Sequence, residues 1–335
     1  MGARGFIEVK RLKKYFPVEA GIFMRKVADL KAVDDVSFTI DQGKSVGLVG
    51  ESGCGKTTVG RCLLRLIEPT EGEISFKGKN ILDLDKDELR ALRSQIQMIF
   101  QDPYSSLNPR MTVGDIISEP VIIHNLVKKD EINNRIRRLM LDVGLSPSHS
   151  RRYPHEFSGG QKQRISIARA LSVIPSFIVA DEPVAALDMS VRAQILNLMK
   201  DLQDKYNLTY LIISHDLTVI KHMCNRIMVM YLGDLVEIAE RDSLFIRPFH
   251  PYSFALISAV PIPDPAKKKK RIILKGDVPS PINPPSGCKF HPRCPYVQDI
   301  CSKARPDLEE IERGHYAACH FAQDLKPPEG SIVEF

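Results

Sequence analysis

No stretch of the 335 residues approaches the roughly 18 to 20 consecutive apolar positions that a membrane-spanning helix needs. Met1 to Lys10 also lacks the apolar stretch of a signal peptide, so a cytosolic chain is expected. Repeats of solenoid period are missing, and low complexity is confined to the run Lys267 to Arg271, read as a solvated linker. Tryptophan is absent and cysteine is scarce. Its seven residues, an odd number, read in a reducing compartment as thiols or metal ligands rather than a disulfide framework. Charge is nearly balanced, with 47 Lys and Arg against 41 Asp and Glu, so the net +6 exerts no strong pull toward nucleic acid or anionic lipid. What is left, 43% hydrophobic and 26% charged, is the composition of a chain that folds around a core.

Proline divides that chain. Nine of the 23 prolines precede residue 248 and fourteen follow from Pro248 onward, which sets a boundary near residue 250. Upstream, short runs rich in Val and Ile (Ser45 to Val49, Phe177 to Ala180, Tyr210 to Ile213) alternate with longer helical patterns such as Val191 to Tyr206. Such alternation predicts an α/β fold with buried parallel strands. Downstream, Pro261 to Pro265 and Pro279 to Pro285 read as linker feeding a small loop-rich tail that a core does not stabilise.

The segment Gly50-Glu51-Ser52-Gly53-Cys54-Gly55-Lys56-Thr57 fits G-x-x-x-x-G-K-[ST] between a strand-like run and a helix predicted to begin near Thr57. Glycines at Gly50, Gly53 and Gly55 let successive backbone N–H groups curl around phosphate oxygens, joined by Ser52 and Thr58. Lys56 can then reach the β- and γ-phosphates, and the Thr57 hydroxyl can ligate Mg²⁺. A second element agrees. The apolar run Phe177 to Ala180 ends in the adjacent carboxylates Asp181 and Glu182, which a buried strand does not need for folding. Asp181 is placed to hold Mg²⁺ through water, and Glu182 to accept the proton of a water attacking the γ-phosphate. Nucleotide hydrolysis is the expected chemistry.

Phe157-Ser158-Gly159-Gly160-Gln161, shortly before that strand, resembles the signature motif of ATP-binding cassette (ABC) proteins. In the same order Gln101 resembles the family's Q-loop glutamine, Asp188 its D-loop aspartate and His215 its switch histidine. The resemblance implies a P-loop NTPase cassette with a RecA-like core, an antiparallel β subdomain and a helical subdomain at about 102–170. These form an ATP-binding domain over 1–250, followed by a C-terminal region over 251–335. It also implies catalytic roles for Lys56, Gln101, Glu182 and His215, with Mg²⁺ held by Thr57, Gln101 and Asp181. Phe16, with neighbouring Tyr15 as the alternative, stands where the family stacks an aromatic on adenine. Ser158, Gly160 and Asp188 would serve ATP sandwiched between two cassettes.

Only 57 positions separate Gln101 from Ser158, enough for a helical subdomain but too few for the long coiled coil of chromosome-maintenance ATPases, and the chain holds a single cassette. A soluble cassette ATPase acting on nucleic acid or ribosomes is therefore the weaker alternative. Gln101 to Pro109, Tyr153 to Ser158, Asp188 to Gln194 and His250-Pro251-Tyr252 resemble the oligopeptide/dipeptide importer ATPases, and among them the F type. That resemblance implies an ATPase at the cytoplasmic face of the cell membrane. Its implied partners are two permeases, a paralogous D-type ATPase and an extracytoplasmic peptide-binding protein, with no nucleic acid. Nickel and glutathione importers share the subgroup, so cargo stays open at this point.

Cys288, Cys294, Cys301 and Cys319 cluster in the proline-rich tail as C-x₅-C-x₆-C-x₁₇-C, whereas Cys54, Cys62 and Cys224 are scattered. Four thiolates can hold an iron–sulfur cluster or tetrahedral zinc, and His291, His315 and His320 keep a mixed zinc site open. The importer resemblance adds a [4Fe–4S] cluster at this motif as the favoured expectation, zinc as the alternative and plain thiols as the bland one.

Overall fold

The computed structural model describes residues 5–21, 25–102, 106–128, 130–261 and 270–332. Most of the linker read at Pro261 to Pro265 and Lys267 to Arg271 lies outside these, as do residues 103–105 of the Gln101 to Pro109 segment. In chain order the elements are β1 (Ile7–Ala20), β2 (Arg25–Ile40), β3 (Ser45–Val49), α1 (Lys56–Leu63), β4 (Glu71–Phe76), β5 (Lys79–Asn80), α2 (Lys86–Leu92), β6 (Ile96–Ile99), α3 (Val113–Ile123), α4 (Ile132–Asp142), α5 (Gly159–Leu171), β7 (Phe177–Asp181) and α6 (Met189–Tyr206). They continue with β8 (Thr209–Ser214), α7 (Leu217–Met223), β9 (Arg226–Tyr231), β10 (Asp234–Glu240), α8 (Arg241–Ile246), α9 (Pro251–Ser258), α10 (Asp299–Lys303), β11 (Glu309–Glu312) and β12 (His315–Ala317).

Residues cluster into two compact units: Met1–Ile40 with Val46–Gly78 and Ser214–Phe335, and Asp41–Ser45 with Lys79–Ile213. The first unit holds an antiparallel sheet in which β1 lies between β2 and β4. Along β2 the buried residues Val36, Phe38 and Ile40 recur at every second position, so one face meets the core and the other does not. Also in this unit β3 runs parallel to β9, and from β9 the sheet continues antiparallel through β10, β12 and β11. Every residue of β3 is buried, as an apolar strand covered on both faces requires.

In the second unit β6, β7 and β8 pair in parallel, from Ile96 opposite Phe177 and from Phe177 opposite Thr209. Helices α3, α4 and α5 pack on one another, and α5 also packs on α6. Two of these helices start on reciprocal caps that their sequences encode: Thr112 with Asp115 for α3, and Ser158 with Gln161 for α5.

The loop-rich tail carries two short strands and a small core, against the expectation that no core stabilises it. Its β11 and β12 extend the sheet beyond β10, with Glu237 opposite Ala317 and Ile238 opposite Tyr316. Phe249, Ala317 and Ala322 form a small core with Ile311 and Cys319 against it. The strands are short and β11 is charged (Glu309-Glu310-Ile311-Glu312), so neither hydrophobic period nor β-branched content marks them. What fixes them is a buried carboxylate. Glu237 of β10, with no solvent exposure, accepts the Phe249 and His250 N–H groups at 2.7 and 2.9 Å and lies 2.7 Å from His315 Nε2. Next to it His250 caps α9 through Nδ1, and burial drives its basicity down to about 3, so the ring is neutral at physiological pH.

Candidate functional site

The loop after β3 is shaped by glycines that nothing larger could replace. A Cβ on Gly50 would stand 2.1 Å from the Met230 carbonyl oxygen, and one on Gly55, whose φ is +108°, would stand 2.0 Å from that of Ala32. Gly55 is the N-cap of α1, so no side chain caps the helix, and its first turn contains no acid. Those backbone N–H groups and the partial positive charge of the helix start are suited to an anion. Lys56 is 6% exposed and folds back along the loop, its Nζ donating to the carbonyls of Gly50 and Glu51 at 2.8 and 2.9 Å. Thr57 and Thr58 follow in the helix, half-buried, while Ser52 and Gly53 are exposed. Burial pushes the Cys54 thiol up despite the Lys56 ammonium beside it, so the one cysteine of the loop stays protonated.

The first unit also carries the two rings proposed for adenine and the switch histidine. The Tyr15 hydroxyl is committed to the Asp34 carboxylate, whereas Phe16 is half-buried under the Lys14 ammonium, 4.9 Å from its ring centre. His215 is exposed, in the turn between Ser214 and Asp216, where the Asp216 side chain caps α7.

In the second unit Asp181 ends β7 and is 3% exposed. Glu182 follows in the left-handed region at φ +46°, a conformation that costs a non-glycine residue of order 1 kcal/mol. Its N–H is held by the Ile213 carbonyl at 2.9 Å, which turns the chain out of the strand and sets the carboxylate beyond it. Gln101 is exposed. So is Ser158, the N-cap of α5, and Gly160 lies so near Val191 that a Cβ would come within 2.5 Å of its Cγ1. Asp188 is the exposed N-cap of α6 and makes no side-chain capping bond.

All seven cysteines are thiols. Cys288, Cys294, Cys301 and Cys319 line one cavity of about 20 Å³ together with His291 and His320. Yet among the described residues no group of three or more His, Cys, Asp or Glu side chains is placed to hold a metal ion, so the iron–sulfur expectation finds no support in this arrangement. His315 belongs elsewhere, on Glu237. Burial pushes Cys294 up to about 11 and Cys319 up to about 12, and raises Cys288, so these thiols are protonated at neutral pH.

Sequence reasoning missed the grip that the tail takes on the loop. Arg293 meets the Glu51 carboxylate with both arms of its guanidinium, at 2.7 and 3.1 Å, and the Tyr252 hydroxyl accepts the Glu51 N–H at 2.8 Å. Tyr252 stood in a quoted motif and Arg293 directly precedes Cys294, but an ion pair spanning 242 positions leaves no local signal. A buried network was likewise invisible: Lys289 donates to Asp34, Asp234 and the Leu232 carbonyl at 2.9, 2.5 and 3.1 Å.

A glycine-shaped loop between a buried strand and an uncapped helix, a helix capped by Ser158, and a strand that ends on Asp181 with Glu182 following are the local features expected of an ABC-class ATPase. The ABC transporter profile matches residues 33–185, and the profile of the oligopeptide/dipeptide transporter C-terminal region matches 236–301. The oligopeptide transport ATP-binding protein AppF of Bacillus subtilis is 52% identical over 317 residues, 94% of this chain and 96% of that protein. The putative oligopeptide transport ATP-binding protein YkfD of the same organism is 53% identical over 330 residues, 96% of this chain and 97% of its own. Among solved structures, the dimeric ATP-binding cassette MJ0796 bound to ADP and Pi superposes with a TM-score of 0.63 at 28% identity, over 70% of this chain and 98% of that one. The chain belongs to the ABC transporter ATP-binding subunits of the oligopeptide/dipeptide transporter family, and is an ATPase.

Proposed function

We propose that this chain is the ATP-hydrolysing motor of an importer of di- and oligopeptides, seated at the cytoplasmic face of the membrane through its permeases. The observation that carries the reading is its 52 to 53% identity, over 94 to 96% of its length, with proteins named for oligopeptide transport. Among the described residues no helix is long and apolar enough to cross a membrane, in keeping with a subunit that reaches the bilayer through others. The proposed partners are two permeases, a paralogous cassette and an extracytoplasmic binding protein that selects cargo.

The proposed site follows from the residues. Lys56 exchanges the carbonyls of Gly50 and Glu51 for the β- and γ-phosphates of ATP, and the N–H groups from Ser52 to Thr58 enclose them. Phe16, whose ring is not tied down as the Tyr15 hydroxyl is, stacks on adenine. Thr57, Gln101 and Asp181 would hold Mg²⁺, an acceptor set of hydroxyl, amide and carboxylate oxygens suited to a hard cation, which supplies charge neutralisation to the phosphates. Glu182 takes the proton of the attacking water, and His215 orients the γ-phosphate from the turn after β8. Ser158, Gly160 and Asp188, at exposed helix starts, close over ATP held by a second cassette.

Purification of the assembled complex from detergent-solubilised membranes tests this reading. Two permeases and a second cassette should accompany the chain, and di- or oligopeptides with the binding protein should stimulate ATP turnover. Recovery of ribosomes or nucleic acid instead overturns it, and stimulation by nickel or glutathione alone reassigns the cargo.

For the tail, ligation of a [4Fe–4S] cluster by Cys288, Cys294, Cys301 and Cys319 is proposed, with zinc as the alternative. The reading rests on the clustering of the four cysteines in the sequence, C-x₅-C-x₆-C-x₁₇-C, all of which line one cavity. As the tail stands its cysteines are not placed to hold a metal ion, so either metal requires the tail to rearrange and the thiols to lose their protons on loading. Iron, acid-labile sulfide and zinc are to be measured on protein purified without oxygen. Near-equal iron and sulfide, lost in Cys288→Ser, is the expected result; zinc alone selects the alternative, and neither metal leaves ordinary thiols.

A further inference from the structure

The phosphate loop is held from outside itself at Cys54, whose carbonyl accepts the Gly233 N–H at 3.0 Å, and at Glu51, where the residue that holds the carboxylate comes from the C-terminal region. Glu51 follows the first glycine of the loop. Its carboxylate is taken by Arg293 in a two-armed contact, its N–H is given to the Tyr252 hydroxyl, and its carbonyl accepts from Lys56. Carboxylate, N–H and carbonyl of Glu51 are thus all engaged, the first two by residues of the C-terminal region.

Arg293 is itself fixed. Its side chain is 8% exposed, its guanidinium carbon lies 5.9 Å from the centre of the Tyr231 ring, and the Tyr231 hydroxyl is 3.5 Å from one nitrogen. The backbone on either side is a single 3₁₀ turn, His291–Arg293, closed by Arg293 N–H to the Phe290 carbonyl at 3.0 Å. Phe290, 1% exposed, packs edge-on against Tyr231 with ring centres 5.2 Å apart and lies 5.5 Å from Tyr252. The Glu51 hydrogen bonds hold Arg293 protonated at any pH the protein meets. Arg293 therefore reaches the loop from a rigid aromatic platform rather than from a loose tail, one turn from the four-cysteine cavity.

Two physical consequences converge on nucleotide affinity. A glycine-rich loop has many conformations, and anchoring one of its residues reduces the ordering that binding must impose. Glu51 also brings a negative charge next to the place of a triphosphate, and a guanidinium in bidentate contact neutralises it where it stands. We propose that Arg293 is a positioning residue of the phosphate loop, acting through Glu51, so that the C-terminal region sets the affinity of the cassette for MgATP. This rests on the reading of Gly50 to Thr57 as the ATP site.

The test is steady-state hydrolysis by the assembled transporter, and MgATP binding by the full chain, for the wild type, Arg293→Gln, Glu51→Gln and their combination. Arg293→Gln should raise the KM and the Kd for MgATP about tenfold or more, the loss of one charge-assisted contact, with kcat changed far less. In the Glu51→Gln background the same change should have no further effect, because the group through which Arg293 acts is gone. Arg293→Lys, which keeps the charge but loses the fork, should fall between; if Arg293→Gln does not fold, this variant replaces it in the same comparison.

An unchanged KM in the Arg293 variant, or an equal rise in KM with and without Glu51, overturns the proposal and leaves Arg293 as a tie for the tail alone. Failure of the ATP-site reading would look different, since the wild type itself would then neither bind nor hydrolyse MgATP.

Discussion

Glu182→Gln is expected to lower ATP turnover by about 10²- to 10⁴-fold, the usual contribution of a positioned general base, while ATP binding is retained. The substitution preserves shape and removes only the ability to accept a proton. The backbone that aims the side chain does not depend on the carboxylate: it is set by the left-handed turn at φ +46° and by the N–H bond to the Ile213 carbonyl. Gln at this position should therefore sit where Glu sits. On the proposed pairing, in which ATP bridges two cassettes, a site that binds but does not hydrolyse should accumulate the closed pair. Moving such an equilibrium from mostly open to mostly closed takes about 5.5 kcal/mol of differential binding, which several charge-assisted contacts to a triphosphate can supply. Single-turnover hydrolysis and size-exclusion chromatography of the variant with ATP and its partner cassette measure both effects. Wild-type turnover by the variant within the complex would remove Glu182 from the role.

The elements that carry this chemistry were legible because each is local. A run of five buried residues before a glycine-rich octapeptide announces β3, the loop and α1. The apolar run from Phe177 announces β7, and Ser158 with Gln161 is a capping box written three residues apart. Helix α6 extends two residues beyond its expected start, to Met189, because Asp188 already serves as its N-cap. The partner of Tyr15 was not local: its hydroxyl is engaged by Asp34, nineteen residues away and on the neighbouring strand.

The small core of the tail was missed for the same reason. Proline content and the absence of a hydrophobic period suggested loops without a core, and locally that is what residues 279–290 are. Its order comes instead from single polar residues that reach far along the chain: Lys289 to Asp34, Arg293 to Glu51, Arg305 to Asp234 and His315 to Glu237. Contacts of this kind have neither period nor motif, and become visible only when distant carboxylates such as Asp34, Asp234 and Glu237 prove to be buried and need partners.

Of these ties Lys289 should be the costliest to lose. Its side chain is 7% exposed, and its ammonium is shared by Asp34 and Asp234, whose side chains are 11 and 12% exposed. Lys289→Met keeps the aliphatic stem and deletes the charge, leaving two carboxylates close together with Arg305 as their remaining cation. Breaking a buried ion pair from one side costs about 3 to 5 kcal/mol, and that is the loss expected in urea unfolding of the full chain. The pH dependence identifies the cause. Burial pushes the Asp234 carboxyl up to about 6 against the pull of Lys289 and Arg305. Asp34, also raised by burial, is brought below the ordinary carboxylate range by the Tyr15 and Lys289 hydrogen bonds, and would keep Tyr15 and Arg305. Without Lys289, Asp234 should rise further. A carboxyl whose pKa is higher folded than unfolded stabilises the fold as it takes up its proton, so the penalty should shrink as pH falls from 7 toward 5. Adding Asp234→Asn to Lys289→Met should recover part of the loss and remove this pH dependence. A loss below about 1 kcal/mol, the scale of an exposed pair, or a penalty that grows as pH falls, would show that the network does not hold the tail in this way.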